Sequence, residues 1–167
     1  MSAQLVPDGL VAVWITNSPQ AHNLLVSRDG LFAEWGVEPV GEWVWLKVTD
    51  QGEPIVSLEA TWRKPWERLV FGRKRGGGGG MIKGKVIVSC PEGRWRKPCL
   101  RELFEEEGMG ERVLEVFARG LTAGWTCWGD EVLKFQSPEG WVVDEDAGEN
   151  DDPRTSETEG RRSPQLP

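Results

Sequence analysis

The succession of apolar runs, turn signals and helix signals along these 167 residues predicts an α/β layered domain with a mixed sheet. Three observations support this. Short apolar runs rich in β-branched residues recur along the chain, segments with capping signals separate them, and two further runs follow one another near the end as a closing strand pair. The length suits one domain with a hydrophobic core rather than two.

Leu10 to Thr16 is the first such run and suits a buried strand. Asn17-Ser18-Pro19 then offers capping side chains and a proline compatible with a first helical turn. Leu24, Leu25, Leu31 and Phe32 give the following helix a rough apolar face, and Gly36 closes it. Val37 to Thr49 alternates as a strand, with Trp43 and Trp45 on one face and Val44 and Leu46 on the other; Asp50-Gln51-Gly52 is a turn. Leu69 to Gly72 and Lys85 to Ser89 are two more strands. Pro98 opens a helix through Glu107 that Gly108 ends. Arg112 to Ala118 and Glu131 to Phe135 are expected to complete the sheet.

Charge divides the chain more sharply than its net of −7 suggests. Met1 to Thr61 carries 2 basic and 8 acidic residues, Trp62 to Arg101 carries 12 and 2, and Glu102 to Val143 carries 3 and 9. Trp62, Trp66, Phe71 and Trp95 interleave the basic block, the composition found where cations meet phosphates and rings stack on bases; a solvated basic face between acidic neighbours has the same composition. From Asp144 to Pro167 there are 8 acidic and 3 basic residues and hardly any large apolar side chain, so this tail is expected to be disordered.

Other chemistries find little support. No apolar run approaches the ~20 residues of a membrane span, and the first ten residues lack the basic and apolar regions of a secretion signal. An intracellular protein with no membrane partner is expected. Cys90, Cys99 and Cys127 form no close pair and read as reduced thiols. His22 is the only histidine, so no zinc-ligand set or Ser-His-Asp constellation is built around it and no metal is expected. Gly79 to Lys85 has the spacing of a phosphate-binding loop, yet Val86 stands where the magnesium-binding hydroxyl belongs and a strand follows instead of a helix. The glycine run, within a loop at 73–84, reads as a flexible connection. Ten tryptophans without a fixed period exclude a repeat architecture. Most should be core, and Trp43 and Trp45, set between Glu42 and Lys47, are the stronger candidates for pocket walls.

Separated motifs add a more specific expectation: WITN at Trp14 to Asn17, EWVWLK at Glu42 to Lys47, KPWERLVFGR, RKP at Arg96 to Pro98, and FARGLTAGWTCWGDEVLKFQ. Together they resemble the eukaryotic adenine-N6 methyltransferases of the MT-A (seventy-kDa subunit) family, in particular its methyltransferase-like four branch, from about Val11 to Gln136. The resemblance implies a Rossmann-like methyltransferase fold, a mixed sheet with flanking helices, in which S-adenosylmethionine donates a methyl group to the exocyclic nitrogen of adenine in RNA or DNA. It implies that Arg119, Asp130 and Glu131 face the ribose and adenine of this cosubstrate, and Lys97 its amino-acid end. Trp45 and Lys47 would lie beside the path of the nucleic acid. The basic block separately offers Arg63, Lys64, Arg73, Lys74 and Arg75 as candidate phosphate contacts. A nuclear location is also implied; whether a partner methyltransferase-like subunit is required is left open by the sequence.

The residue types suit those roles. A carboxylate at Glu131 accepts hydrogen bonds from ribose hydroxyls or an adenine amine, and an ammonium at Lys97 pairs with a carboxylate. Two positions depart from the family pattern: Gly120 replaces an asparagine after the arginine, and Asp130 replaces an asparagine before the acid. The family's catalytic Asp-Pro-Pro-Trp is not among these 167 residues. Residues 1–143 are therefore expected to be the C-terminal portion of a methyltransferase domain, its fold incomplete at the N-terminus, with 144–167 as an acidic tail. A catalytically inactive nucleic-acid-binding or partner subunit, and a Trp-rich interaction module, are the alternative readings. Deleting Asp144 to Pro167 should leave the thermal unfolding midpoint nearly unchanged; a large drop would show that the tail docks.

Overall fold

The computed structural model describes residues 5–91, 96–109, 112–134 and 136. The chain divides into two compact units, Met1–Leu100 and Arg101–Pro167.

The first unit is built on a four-stranded mixed sheet in the order β1-β3-β2-β4, comprising β1 (Leu10–Ile15), β2 (Val37–Lys47), β3 (Trp66–Lys74) and β4 (Lys85–Ser89). β3 runs antiparallel to both β1 and β2, while β4 lies parallel to β2. Leu69, Val70 and Phe71 of β3 are all buried, as expected for a strand covered on both faces. β3 begins three residues before the apolar run Leu69 to Gly72 that marks it in the sequence, because hydrogen bonding to β2 continues to Trp66.

One face of the sheet is closed by two short helices, α1 (Pro19–Val26) and α2 (Leu31–Glu34). Ser18 caps α1 through its hydroxyl, which accepts from the Ala21 amide, and Pro19 occupies the first turn. The single helix expected here is interrupted at 27–30. Gly30 runs so close beneath α1 that a Cβ there would stand 2.7 Å from the Leu24 carbonyl oxygen, and the chain restarts as α2. Leu25, Phe32, Val37 and Val70 form the core of this layer, with Val11, Val13 and Ile15 packed around them. Gly36, at φ 70°, then turns the chain into β2.

The register of β2 shifts between Pro39 and Gly41, a bulge that sets the alternation of everything after it. Trp43 and Trp45 then face the side opposite the helices, beside Leu69 and Phe71, and both are completely buried. Trp43 meets Phe71 edge-on at 4.8 Å and Trp14 of β1 meets Trp45 at 5.9 Å, geometries that aromatic quadrupoles favour.

The second unit holds α3 (Arg101–Glu106) and a two-stranded parallel sheet of β5 (Leu114–Val116) and β6 (Thr126–Trp128). α3 starts later than Pro98 and ends in a Schellman arrangement: Gly108, at φ 67°, donates to the Glu105 carbonyl, and Met109 donates to that of Phe104. The strand expected over Glu131 to Phe135 is not formed. Residues 130–134 are turns, closed by the Lys134 amide on the Glu131 carbonyl, and Phe135 lies outside the described residues. An acid and a base three positions apart, Glu131 and Lys134, meet across such a turn and would point to opposite faces of a strand. The closing pair therefore consists of β5 with β6 as a separate sheet and does not extend the first one.

Gly72 of β3 faces Phe32 and Val37, and a Cβ there would stand 2.8 and 2.9 Å from their side chains. Gly72→Ala should cost about 1–3 kcal/mol through overpacking, read as a lower urea midpoint at unchanged m-value.

Candidate functional site

The face of the first sheet opposite α1 and α2 is apolar at its middle and charged at one end. Lys47, the last residue of β2, and Glu67, the second of β3, lie diagonally across the strand pair. Lys97 reaches the same carboxylate. Lys47 Nζ donates to Glu67 Oε1 and Lys97 Nζ to Glu67 Oε2, so each carboxylate oxygen holds one ammonium. Indole rings form the floor: Lys47 Nζ lies 4.9 Å from the Trp45 ring centre, and Lys97 Nζ lies 5.2 Å from Trp14 and 5.6 Å from Trp45. The Trp45 N–H donates to Ser89 Oγ at 2.8 Å, so its polar edge is satisfied while its face supports the cations.

The group is shielded to different depths. The side chain of Lys47 is 7% exposed, that of Glu67 19% and that of Lys97 36%, so Lys97 is the member open to solvent or ligand. Burial pushes the Glu67 carboxyl up, but hydrogen bonds from Lys47 and Lys97, together with their charges, outweigh this and hold it below the usual carboxylate range. The arrangement is an ionised acceptor between two donors on an aromatic floor, suited to a ligand that offers an N–H to the carboxylate or an anion to the outer lysine.

In the second unit Arg119 follows Phe117, a non-glycine residue at φ 61°, by two positions. Such a conformation is rare for an aromatic residue and turns the chain sharply after β5. Arg119 Nε lies 3.5 Å from Glu131 Oε2, and Lys134 Nζ lies 3.4 Å from Glu131 Oε1. All three side chains are exposed, as is Asp130, leaving carboxylate and guanidinium edges accessible. Behind them burial pushes the Glu115 carboxyl above its usual range, partly offset by a hydrogen bond from the Cys127 thiol at 3.9 Å.

The remaining basic candidates have structural work. Arg73 donates to the Asp8 carbonyl (3.4 Å) and the Gly80 carbonyl (3.3 Å), and Lys74 donates to that of Leu5 at 2.8 Å. The Gly78 amide donates to Asp8 Oδ1 at 2.6 Å, so the glycine run is fastened to the segment before β1. Lys64 donates to the Leu58 carbonyl at 3.1 Å and stands 5.4 Å from the Trp66 ring. Arg63 and Arg75 are exposed. Trp45 is an interior wall with no open face, and Lys47 is committed to Glu67.

Sequence reading brought out Lys47, Trp45 and Lys97 but not the carboxylate that joins them. One signal was available: Glu67 is one of only two acids in the basic block Trp62 to Arg101. An acid retained among so many cations marks a place where charges are paired.

The class of protein follows from sequence comparison over this same chain. Residues 2–131 match the MT-A70 family model, and the chain belongs to that family. It is 56% identical over 144 residues to the N6-methyladenosine RNA methyltransferase MTA1 of Cryphonectria parasitica, an alignment covering 85% of this chain and 43% of that protein. It is 47% identical over 146 residues to the MTA1 of Pyricularia oryzae, covering 84% of this chain and 39% of that protein. It is 38% identical over 142 residues to the N(6)-adenine-specific methyltransferase METTL4 of Mus musculus, covering 77% of this chain and 30% of that protein. The chain thus spans less than half the length of these relatives.

Because the Glu67 carboxyl titrates lower when folded than when unfolded, its contribution to stability is complete above the ordinary carboxylate pKa and is lost as pH falls through its folded value. Glu67→Gln should lower unfolding free energy at pH 7 by roughly 2 kcal/mol. The gap from the parent chain should close as acid protonates Glu67, followed by urea unfolding across that range.

Proposed function

We propose that this chain is the C-terminal portion of an S-adenosylmethionine-dependent adenine-N6 methyltransferase domain of Rossmann-like fold acting on nucleic acid, with RNA as the acceptor favoured by its similarity to the two N6-methyladenosine RNA methyltransferases. The single observation that carries the reading is the paired carboxylate Glu67, held ionised by Lys47 and Lys97 above Trp14 and Trp45 within a chain of this family.

S-adenosylmethionine supplies an activated methyl group. The donor set of the second unit fits its nucleoside: Glu131 and Asp130 offer acceptors for ribose hydroxyls and an adenine amine, and Arg119 offers a planar donor edge. Lys97 carries an exposed ammonium of the kind that pairs with a carboxylate. An adenine exocyclic amine is conjugated and weakly nucleophilic, so transfer also requires an acceptor aimed at its N–H bonds and in-line positioning. In the family the Asp-Pro-Pro-Trp fills that role, and these 167 residues do not contain it. Among the described residues β1 pairs with one strand, β3, and a further strand on its other edge is part of the same proposal. The reading extends to a nuclear location and a partner methyltransferase-like subunit as parts of the same proposal.

A catalytically inactive nucleic-acid-binding subunit is the second reading, favoured by the two departures from the resembled family pattern, Gly120 and Asp130, the latter setting two carboxylates side by side with Glu131. Sequencing the native transcript upstream of the Met1 codon separates the two: an in-frame Asp-Pro-Pro-Trp supports the enzyme, and a stop codon supports the subunit.

The 167-residue chain alone should bind S-adenosylmethionine saturably in calorimetry, with Glu131→Gln weakening it, and should transfer no labelled methyl group to an adenine-containing oligonucleotide. Transfer by the isolated chain would overturn the assignment of catalysis to a missing segment. No cosubstrate binding by this chain or by any longer product would overturn the methyltransferase reading.

A further inference from the structure

Trp62 is 80% exposed, while Trp43 and Trp45 have no exposed surface. Among the described tryptophans only Trp128 approaches it, at 62%. A large ring left in water on an ordered segment marks a contact surface, and this segment is ordered by its own bonds. The Glu59 amide donates to Ser57 Oγ at 3.3 Å, the Ala60 amide donates to the Ser57 carbonyl at 3.1 Å, and Lys64 Nζ closes the loop on the Leu58 carbonyl at 3.1 Å. Pro65 is fully buried and its carbonyl accepts the Lys47 amide at 2.8 Å. The loop is thereby fixed to the strand that ends in Lys47 and to the one that presents Glu67. Trp62 and Pro65 are three positions apart, so their Cα atoms lie within about 11 Å of each other.

Charge identifies the occupant. Arg63 and Lys64 follow the ring directly, Glu59 is the one acid between Ser57 and Trp66, and the block opening at Trp62 holds 12 basic against 2 acidic residues. A flat π-face beside cations suits an unstacked base whose phosphates run along the basic block; an apolar protein partner would not call for those cations.

We propose that Trp62 is a stacking residue for a base of single-stranded nucleic acid flanking the acceptor adenine, with Arg63 and Lys64 on the adjoining phosphates. This rests on the nucleic-acid substrate of the function proposed above and adds the residue that holds the strand beside the Lys47–Glu67–Lys97 cluster. Stacking demands a base out of the duplex, so the surface selects single-stranded or locally opened substrate. Its energy is insensitive to base identity, so it positions the strand without reading sequence.

The test is fluorescence anisotropy of a labelled single-stranded adenine-containing RNA, and of the same RNA annealed to its complement, with the 167-residue chain, Trp62→Ala, Trp62→Phe and Arg63→Ala. Trp62→Ala should weaken single-strand binding about tenfold, leave its salt dependence and the thermal midpoint unchanged, and leave duplex binding alone. Trp62→Phe should retain most of the affinity, and Arg63→Ala should reduce the salt slope by about one. Equal single-strand binding by the parent chain and Trp62→Ala would overturn the stacking role while the nucleic-acid reading stands, and would leave a protein partner as the occupant. Equal loss on duplex and single strand would overturn it as well. Failure of the parent chain to bind either RNA would overturn both this inference and the nucleic-acid reading.

Discussion

The double pairing of β3 is the constraint on which the first unit depends. Hydrogen-bonded to β1 along one edge and β2 along the other, this strand must be covered on both faces, and Leu69, Val70 and Phe71 meet that demand in consecutive positions. Val70 faces the helical layer with Leu25 and Phe32, while Leu69 and Phe71 face the indoles of β2. Gly72 has no side chain because Phe32 and Val37 occupy the space one would need. Glu67 sits at the start of the same strand, so the register that builds the core also fixes the charged cluster.

That cluster joins packing to chemistry. An ionised carboxylate at this depth is tolerable because two ammonium groups satisfy its two oxygens, and those ammonium groups are in turn held over aromatic faces. Removing one partner would leave charge uncompensated in partly dehydrated surroundings, which is costlier than never having buried it. The tryptophans of the first unit have divided roles: Trp14 and Trp45 are the floor beneath the lysines, and Trp62 is the ring left outside. The basic block divides in the same way. Arg73 and Lys74 fasten the segment before β1 and the glycine run, while Lys97 keeps more than a third of its side chain exposed.

The second unit shows a different economy. Its two strands are three residues each, and its polar groups Arg119, Asp130 and Glu131 lie on turns rather than in a sheet. The left-handed Phe117 turns the backbone between β5 and Arg119, and the ion pair to Glu131 then holds two separated turns together.

By itself the sequence determined the family, the strands of the first sheet and the cap of α1, because these depend on local patterns: alternation in β2, β-branched runs in β1 and β4, and Ser18-Pro19 before α1. It also carried Gly108 as a helix stop, since a left-handed residue after a helix is a local requirement. Tertiary structure alone decided the rest. The break between α1 and α2 arises from the close approach of Gly30 to the Leu24 carbonyl, and no periodicity records that contact. The residues over Glu131 to Lys134 have strand-like composition yet form turns, where an acid and a base three apart meet. Glu67 joins Lys47 and Lys97 across separations of 20 and 30 residues. Burial of Trp45 and exposure of Trp62 follow from the β2 bulge and from the loop's own hydrogen bonds. Contacts between residues far apart in the chain leave no pattern in either neighbourhood, so the chemistry of this site is decided where the strands meet.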